Sequence, residues 1–469
     1  MRQVSRRALV AAAVGSTLLT GCTTSVAGSA NPPATDVSAE EFPIVGAADN
    51  DVDRLARNAF ADLNTFWAEA FPEYYGEDFL PLQGPTSSVD VDDIDYSLYP
   101  SDTGLGCDEY PIDPAEVEMN AFYHRGCDIV AYDRAFILTQ MEQFGAYINP
   151  AIMAHEFGHL VQGPIDEPAG RAGFSDVTIY NETQADCFAG AFTRWVADGN
   201  AEHTTVRVAD LDPVLTGFIE LRDPVGLTDV NVQGAHGSGF DRASAFYEGY
   251  DAGIAACRDN YAEGARVFTV DEFGSDEQGQ IDEENEGNAP IEDVPAIIDG
   301  TLPVYFDSWV DGFEAPTLSF DGSTPDCGVM GEEERALGWC EDDNTIYVAE
   351  DLLEGAYNEI GDFAVATAYA LPFAQAVRAH LGRSADDTTA TVCLAGAYTA
   401  SFFNGDFEES ENGATLSPGD VDEAITFLLT YGQTESVLPN VSATGFELVG
   451  AFRAGFLQGP GADVCDVQA

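Results

Sequence analysis

His155 and His159 stand four positions apart with Glu156 between them, in the run His155-Glu156-Phe157-Gly158-His159. On a helix that spacing puts both imidazoles on one face, a turn apart. Two ring nitrogens so placed can bind one Zn²⁺, and the glutamate between them can reach a metal-bound water. The chain has only six histidines, so the coincidence is not cheap. The five-residue pattern nevertheless recurs by chance in unrelated proteins, and the chemistry needs a third ligand.

Glu182 and Asp186 repeat the four-residue spacing in Asn181-Glu182-Thr183-Gln184-Ala185-Asp186. Glu182 can complete a His₂Glu site that leaves one position for water. Asp186 can accept the second ring N–H of a ligand histidine and fix its tautomer. Two acids on a helix are often only a solvated face. Here the flanking Ala185, Phe188, Ala189 and Phe192 make the helix core-packed, where bare carboxylates are costly. A third histidine ligand is excluded, because Gln162 and Ile165 stand where that layout needs glycine and histidine.

Two buried helices must position this set. Asn149-Pro150 reads as N-cap and first helical residue of the histidine helix, and Gly163-Pro164 as its stop. Ile152, Met153, Phe157, Leu160 and Val161 supply its apolar surface. The second helix opens at Asn181 and stops at Gly199.

The segments Ala154 to Gln162 and Glu182 to Gly190 resemble the neutral zinc metallopeptidases, a glutamate-zincin family with thermolysin-like metal logic. A third matching segment is His236-Gly237-Ser238, followed by Arg242, Phe246, Gly249, Gly253 and Cys257. The resemblance implies peptide-bond hydrolysis, with Zn²⁺ on His155, His159 and Glu182. It also implies that Ile129-Val130-Ala131-Tyr132 is a strand beside the cleft. In that chemistry Glu156 is the general base, and later returns the proton to the leaving amine. The oxyanion needs a further donor, for which His236 is the candidate. Its plainer reading is a helix-start histidine with a structural hydrogen bond. His124 and His203 read as ordinary surface or loop histidines.

The N-terminus speaks of export. Arg2, Arg6 and Arg7 precede an apolar run from Ala8 to Leu19, too short for a membrane span and shaped like a signal peptide. Leu19-Thr20-Gly21-Cys22 resembles a bacterial lipobox, in which Cys22 is acylated and becomes the first mature residue. Ser5-Arg6-Arg7 resembles a twin-arginine signal only loosely, so the export route stays open. Residues 22–44, rich in Ser, Thr, Ala and Pro, read as a flexible tether. The expected location is the outer face of a bacterial cell membrane, held by the N-terminal lipid alone.

Nine cysteines less Cys22 leave an even set, suited to an oxidising compartment. A repeat selects their pairing. Cys187-Phe188-Ala189-Gly190-Ala191-Phe192-Thr193 is echoed by Cys393-Leu394-Ala395-Gly396-Ala397-Tyr398-Thr399. Gly239-Phe240, Ala245-Phe246 and Gly249-Tyr250 return as Gly445-Phe446, Ala451-Phe452 and Gly455-Phe456, and Cys257 as Cys465. Upstream, Cys107 and Cys127 correspond to Cys327 and Cys340. The expected disulfides are Cys107–Cys127, Cys187–Cys257, Cys327–Cys340 and Cys393–Cys465. At the catalytic positions the second copy has Leu371 for His155, Pro372 for Glu156 and Gln375 for His159. Thr388 stands for Glu182, Val392 for Asp186 and Ser442 for His236. The repeat keeps the core and discards the chemistry.

A length of 469 residues suits two such units. The expected organisation is a signal peptide over 1–21, the tether over 22–44 and a metallopeptidase domain over 45–258. An acidic linker over 259–290 and a non-catalytic duplicate over 291–469 follow. Each copy opens with a helix, Val52 to Phe71 and Val294 to Phe313. Helices carrying the site beside short strands make the class α+β.

Charge bounds the partners. The chain has 82 acidic residues against 18 basic ones, all arginine, and a formal net charge of −64. Nucleic acid and anionic membrane surfaces are repelled by such a field. Asp90, Asp92, Asp93 and Asp95 could attract Ca²⁺, but the glycine of an EF-hand loop is missing and a solvated acidic loop is the simpler reading. Two classes of function remain. One is an envelope-anchored zinc peptidase acting on peptides or proteins. The other is a non-catalytic envelope-binding or assembly lipoprotein with a structural or vestigial zinc site.

Overall fold

The computed structural model describes residues 35–163, 172–175, 177–225, 236–262, 266, 268–269, 287–323, 327, 335–407, 415–438 and 440–467. The signal peptide, Cys22, much of the tether and most of the acidic linker lie outside the described residues. Helix α1 (Asp51–Tyr75) starts where the Asn50 side chain accepts from the Asp53 N–H, and ends at Gly76 with φ of 78°. Three short strands follow: β1 (Thr86–Val89), β2 (Ala121–His124) and β3 (Ile129–Asp133). They form a sheet of order β1-β3-β2, with β1 parallel and β2 antiparallel to the central β3. Among the described residues five helices complete the first half: α2 (Arg134–Phe144), α3 (Ile148–Gln162), α4 (Thr178–Ala197), α5 (Val208–Glu220) and α6 (Gly239–Asp259).

The second half sets out matching elements in the same order. Helix α7 (Val294–Asp307) precedes β4 (Thr317–Leu318), β5 (Leu337–Cys340) and β6 (Thr345–Val348). Their order is β4-β6-β5, again with one parallel and one antiparallel neighbour on the central strand. Then come α8 (Glu350–Glu359), α9 (Asp362–His380), α10 (Thr388–Phe403), α11 (Asp420–Thr430) and α12 (Gly445–Gln458). The class is α+β.

The same close crossing recurs in both halves. A Cβ on Gly190 of α4 would lie 2.0 Å from the Phe246 carbonyl oxygen of α6, and one on Gly249 would lie 1.8 Å from that of Cys187. In the second half Gly396 meets the Phe452 oxygen at 2.1 Å and Gly455 meets that of Cys393 at 1.8 Å. Only glycine lets these backbones touch. All four expected disulfides are present, two of them, Cys187–Cys257 and Cys393–Cys465, clamping these crossings. They are compatible with an extracellular protein. Among the described residues no helix is long and apolar enough to cross a membrane.

Most of the buried apolar residues of both halves form one contiguous cluster, with smaller ones around Val117 and around Ile179. Across the junction Phe240 packs on Phe456 at 4.8 Å and Tyr247 on Phe446 at 4.9 Å between ring centroids. Arg453 of α12 donates to Ser244 at 2.6 Å and pairs with Glu248 at 2.9 Å, both on α6.

Several local expectations need correction. The N-cap of α3 is Tyr147, without a side-chain cap bond. Asn149 lies inside the helix, where its Nδ2 donates to the Val52 carbonyl at 3.0 Å, so its side chain makes a tertiary bond and not a cap. Helix α4 begins at Thr178, before Asn181, and α7 ends at Asp307, leaving Trp309 beyond it. Asp90 pairs with Arg134 at 3.2 Å, so that acid at least is an ion-pair partner.

Candidate metal centre

Every residue of α3 is buried, its polar Asn149, His155, Glu156, His159 and Gln162 included, so each of these needs a partner. Its His155, Glu156 and His159 are 5%, 7% and 8% exposed. Gly158 lets α4 come close: a Cβ there would lie 2.8 Å from Ala185 Cα. That approach brings Glu182 across to the two histidines. His155 Nε2 lies 3.1 Å from His159 Nε2, and Glu182 Oε2 lies 3.3 Å from the first and 3.2 Å from the second. Zn–N and Zn–O bonds at tetrahedral angles hold ligand atoms roughly 3.3–3.5 Å apart. The triangle therefore fits a zinc ion.

Proton bookkeeping reaches the same point. His155 Nδ1 lies 2.6 Å from Asp186 Oδ1, and a carboxylate only accepts, so Nδ1 carries the hydrogen. His159 Nδ1 faces Gln162 Oε1 at 3.0 Å. The Gln162 Nε2 donates to the Asn181 carbonyl at 2.8 Å and to Gln184 Oε1 at 3.0 Å, which fixes that amide's orientation. Both rings thus turn Nε2 toward each other and toward a carboxylate oxygen. Three such atoms converging in a buried site need positive charge between them, from a metal ion or from a proton on a ring.

The same demand moves the pKa values. Burial favours neutral His155, yet Asp186 and Glu182 outweigh it and raise the ring to about 10. Burial would also raise Glu182, but the two histidines hold it well below the ordinary carboxylate range. Glu156 is different. Its burial dominates and pushes it up. Glu156 Oε2 accepts from the Tyr123 N–H at 2.8 Å. Tyr123 is on β2, so the strand beside the cleft is the edge strand β2; Ile129 to Tyr132 belong to β3, which is central.

Asp186, fully buried, is gripped from α6. Arg242 Nε donates to its Oδ2 at 3.0 Å and Nη2 to its Oδ1 at 2.9 Å. Burial would raise the Asp186 pKa, but Arg242 and His155 lower it. His236, just before α6, has its Nε2 3.8 Å from Glu182 Oε2 and its Nδ1 3.4 Å from Asp223 Oδ1. It reaches the rim of the site and makes the structural bond too, its backbone N–H donating to Asp223 at 2.7 Å. A cavity of about 210 Å³ opens here, lined by Ile152, His155, Glu156, Phe218, His236 and Arg242. His124 and His203 lie outside it. His203 Nδ1 bonds the Thr35 carbonyl, and His380 Nε2 bonds that of Asp311 at 3.2 Å.

The sequence places Arg242 and Gln162 in the matching segments without showing their roles, and gives no sign of Asp223, because a single carboxylate far from the motifs carries no spacing signal. In the second half the aligned Leu371, Pro372 and Gln375 fill the middle of α9, and Val392 is fully buried in α10.

No protein-family model matches the chain, and no solved structure matches it. An uncharacterized protein of Mycobacterium bovis and two of Mycobacterium tuberculosis are each 27% identical to it over 177 residues, 33% of this chain. The match spans 58% of the length of those relatives.

Proposed function

We propose that this chain is a zinc-dependent peptidase, exported and held on the outer face of a bacterial cell membrane by lipid on Cys22. The observation that carries the reading is the convergence of His155 Nε2, His159 Nε2 and Glu182 Oε2, all within 3.1–3.3 Å of one another. Zinc held there would supply a Lewis acid and lower the pKa of water.

The chain's own groups then divide the work. Glu156 is the general base: its Oε2 is fixed by Tyr123, and its other oxygen makes no hydrogen bond among the described residues. Burial makes that carboxylate a stronger base than usual. Asp186 keeps the His155 proton on Nδ1 and the lone pair on Nε2. His236 is the candidate donor to the oxyanion of the attacked carbonyl. The outer side of β2 runs past Glu156 and gives an extended peptide a strand to lie against.

The second half reads as a degenerate duplicate of the metallopeptidase domain. The repeated strand order and the repeated glycine crossings support this, while the aligned positions lack every ligand. The test is cleavage of a mixed peptide library by the wild type and by Glu156→Gln. The variant is expected to keep zinc and lose hydrolysis. Full activity in it removes Glu156 from the mechanism, and a zinc-loaded wild type that cleaves nothing favours the envelope-binding lipoprotein.

A further inference from the structure

We propose that the second half serves as a built-in partner subunit, positioning the metal centre of the first half through Asp422. The proposal rests on the peptidase reading of the cleft and adds to it a task for the half without ligands. Asp422, on α11, is 3% exposed. Its Oδ2 accepts from the Gly239 N–H at 2.9 Å and its Oδ1 from the Phe240 N–H at 2.6 Å. These are the first residues of α6, whose opening N–H groups have no acceptor within the helix. Ser238 caps the Asp241 N–H at 3.0 Å, and the carboxylate from the other half takes the two before it. Arg222 pairs with the same Asp422 oxygen.

Two lines lead from this anchor to the site. Along α6, Arg242 holds Asp186, and Asp186 holds the ring of His155. Beside it, Arg222 adjoins Asp223, whose Oδ2 accepts from the His236 N–H at 2.7 Å and the Gly237 N–H at 2.8 Å. A slackened α6 start would therefore move both Arg242 and His236. Asp422 touches no substrate or reacting atom; it acts through these residues.

The molecule contains its own control. Asp212 of α5 takes the Gly445 N–H at 3.0 Å and the Phe446 N–H at 2.6 Å at the start of α12. This is the same junction bond in the opposite direction, from first half to second. Behind it stand Ser442 and Val392, where the first half has His236 and Asp186. Equal loss of a cap at Asp212 weakens the junction without disturbing a metal centre.

The experiment compares Asp422→Ala, Asp422→Asn and Asp212→Ala in the full chain, by thermal melting, zinc competition against a chelator, and kcat and KM. Both alanine variants are expected to lower Tm, since each removes one cap, and Asp422→Ala lowers it further because it also breaks the pair with Arg222. Only Asp422→Ala is expected to weaken zinc binding, by about tenfold as for other groups supporting a ligand, and to lower kcat more than it raises KM. Asp422→Asn, which still accepts one N–H, restores part of both. Zinc affinity and kcat changed equally in the two alanine variants, or unchanged in Asp422→Ala, overturn the proposal. If the wild type cleaves nothing, the peptidase reading fails on its own, and the zinc comparison still decides the role of Asp422.

Discussion

Arg242 and Asp186 form a two-point ion pair in the core of the first half, with bonds of 2.9 and 3.0 Å and almost no exposure on either side chain. The pair fixes the one carboxylate that fixes His155. Removing the cation leaves Asp186 buried beside a single histidine. Breaking such a pair costs about 3–5 kcal/mol. Arg242→Gln should therefore lower stability by that order in denaturant melts. It should also weaken zinc binding by roughly 10–100-fold. A variant that melts early yet binds zinc as tightly as the wild type would separate Arg242 from the site.

Gly158 sets the distance between α3 and α4, because a Cβ would meet Ala185 Cα at 2.8 Å. Gly158→Val must push α4 outward and carry Glu182 away from the histidines. Overpacking of this kind costs about 1–3 kcal/mol. The expected signature is a zinc affinity that falls further than the melting temperature does. Wild-type zinc affinity in this variant would mean that Glu182 is not a ligand.

The histidine helix and its partner were legible in the sequence because helical spacing turns ligand geometry into a linear pattern. The four disulfides were legible because Cys187-Phe188-Ala189-Gly190 repeats as Cys393-Leu394-Ala395-Gly396, so one half indexed the other. The roles of Asp223 and Asp422 were not. Each is one carboxylate among 82 acidic residues, and its meaning depends on which backbone N–H groups the fold brings to it. The end of α3 near Asn149 misled for a related reason: an N-cap residue type was bonding a distant carbonyl.

Acidity should stabilise the fold over part of the range. Asp241 is buried against Thr269, and desolvation raises its pKa from 3.8 to about 6 despite the Thr269 N–H and hydroxyl and the nearby Arg266; Asp422 adds to the rise. Burial likewise raises Asp362, Asp420 and Glu423, whose carboxyl oxygens meet in the second half. A raised carboxyl binds its proton more tightly folded than unfolded, so stability is lost as pH climbs through the folded pKa. Asp241 alone contributes a change on the order of 3 kcal/mol between about pH 4 and pH 6. Melts of wild type and Asp241→Asn across that window should diverge, the variant being flatter. Parallel curves would show that Asp241 ionises freely.

Salt is the second environmental lever. A net charge of −64 repels itself, and screening shortens from about 10 Å at 0.1 M to about 3 Å at 1 M. The melting temperature is expected to rise markedly between low and molar NaCl. A flat profile would mean that the local ion pairs, not the overall field, govern stability.

The most direct test of the central claim is zinc content joined to chelator-reversible peptide cleavage, measured on the soluble form beginning at Thr23. One zinc per chain is expected, lost in Glu182→Ala, with cleavage that a chelator stops and added zinc restores. A chain that binds no zinc, or binds one and cleaves no peptide at either low or high salt, would contradict the zinc-peptidase reading.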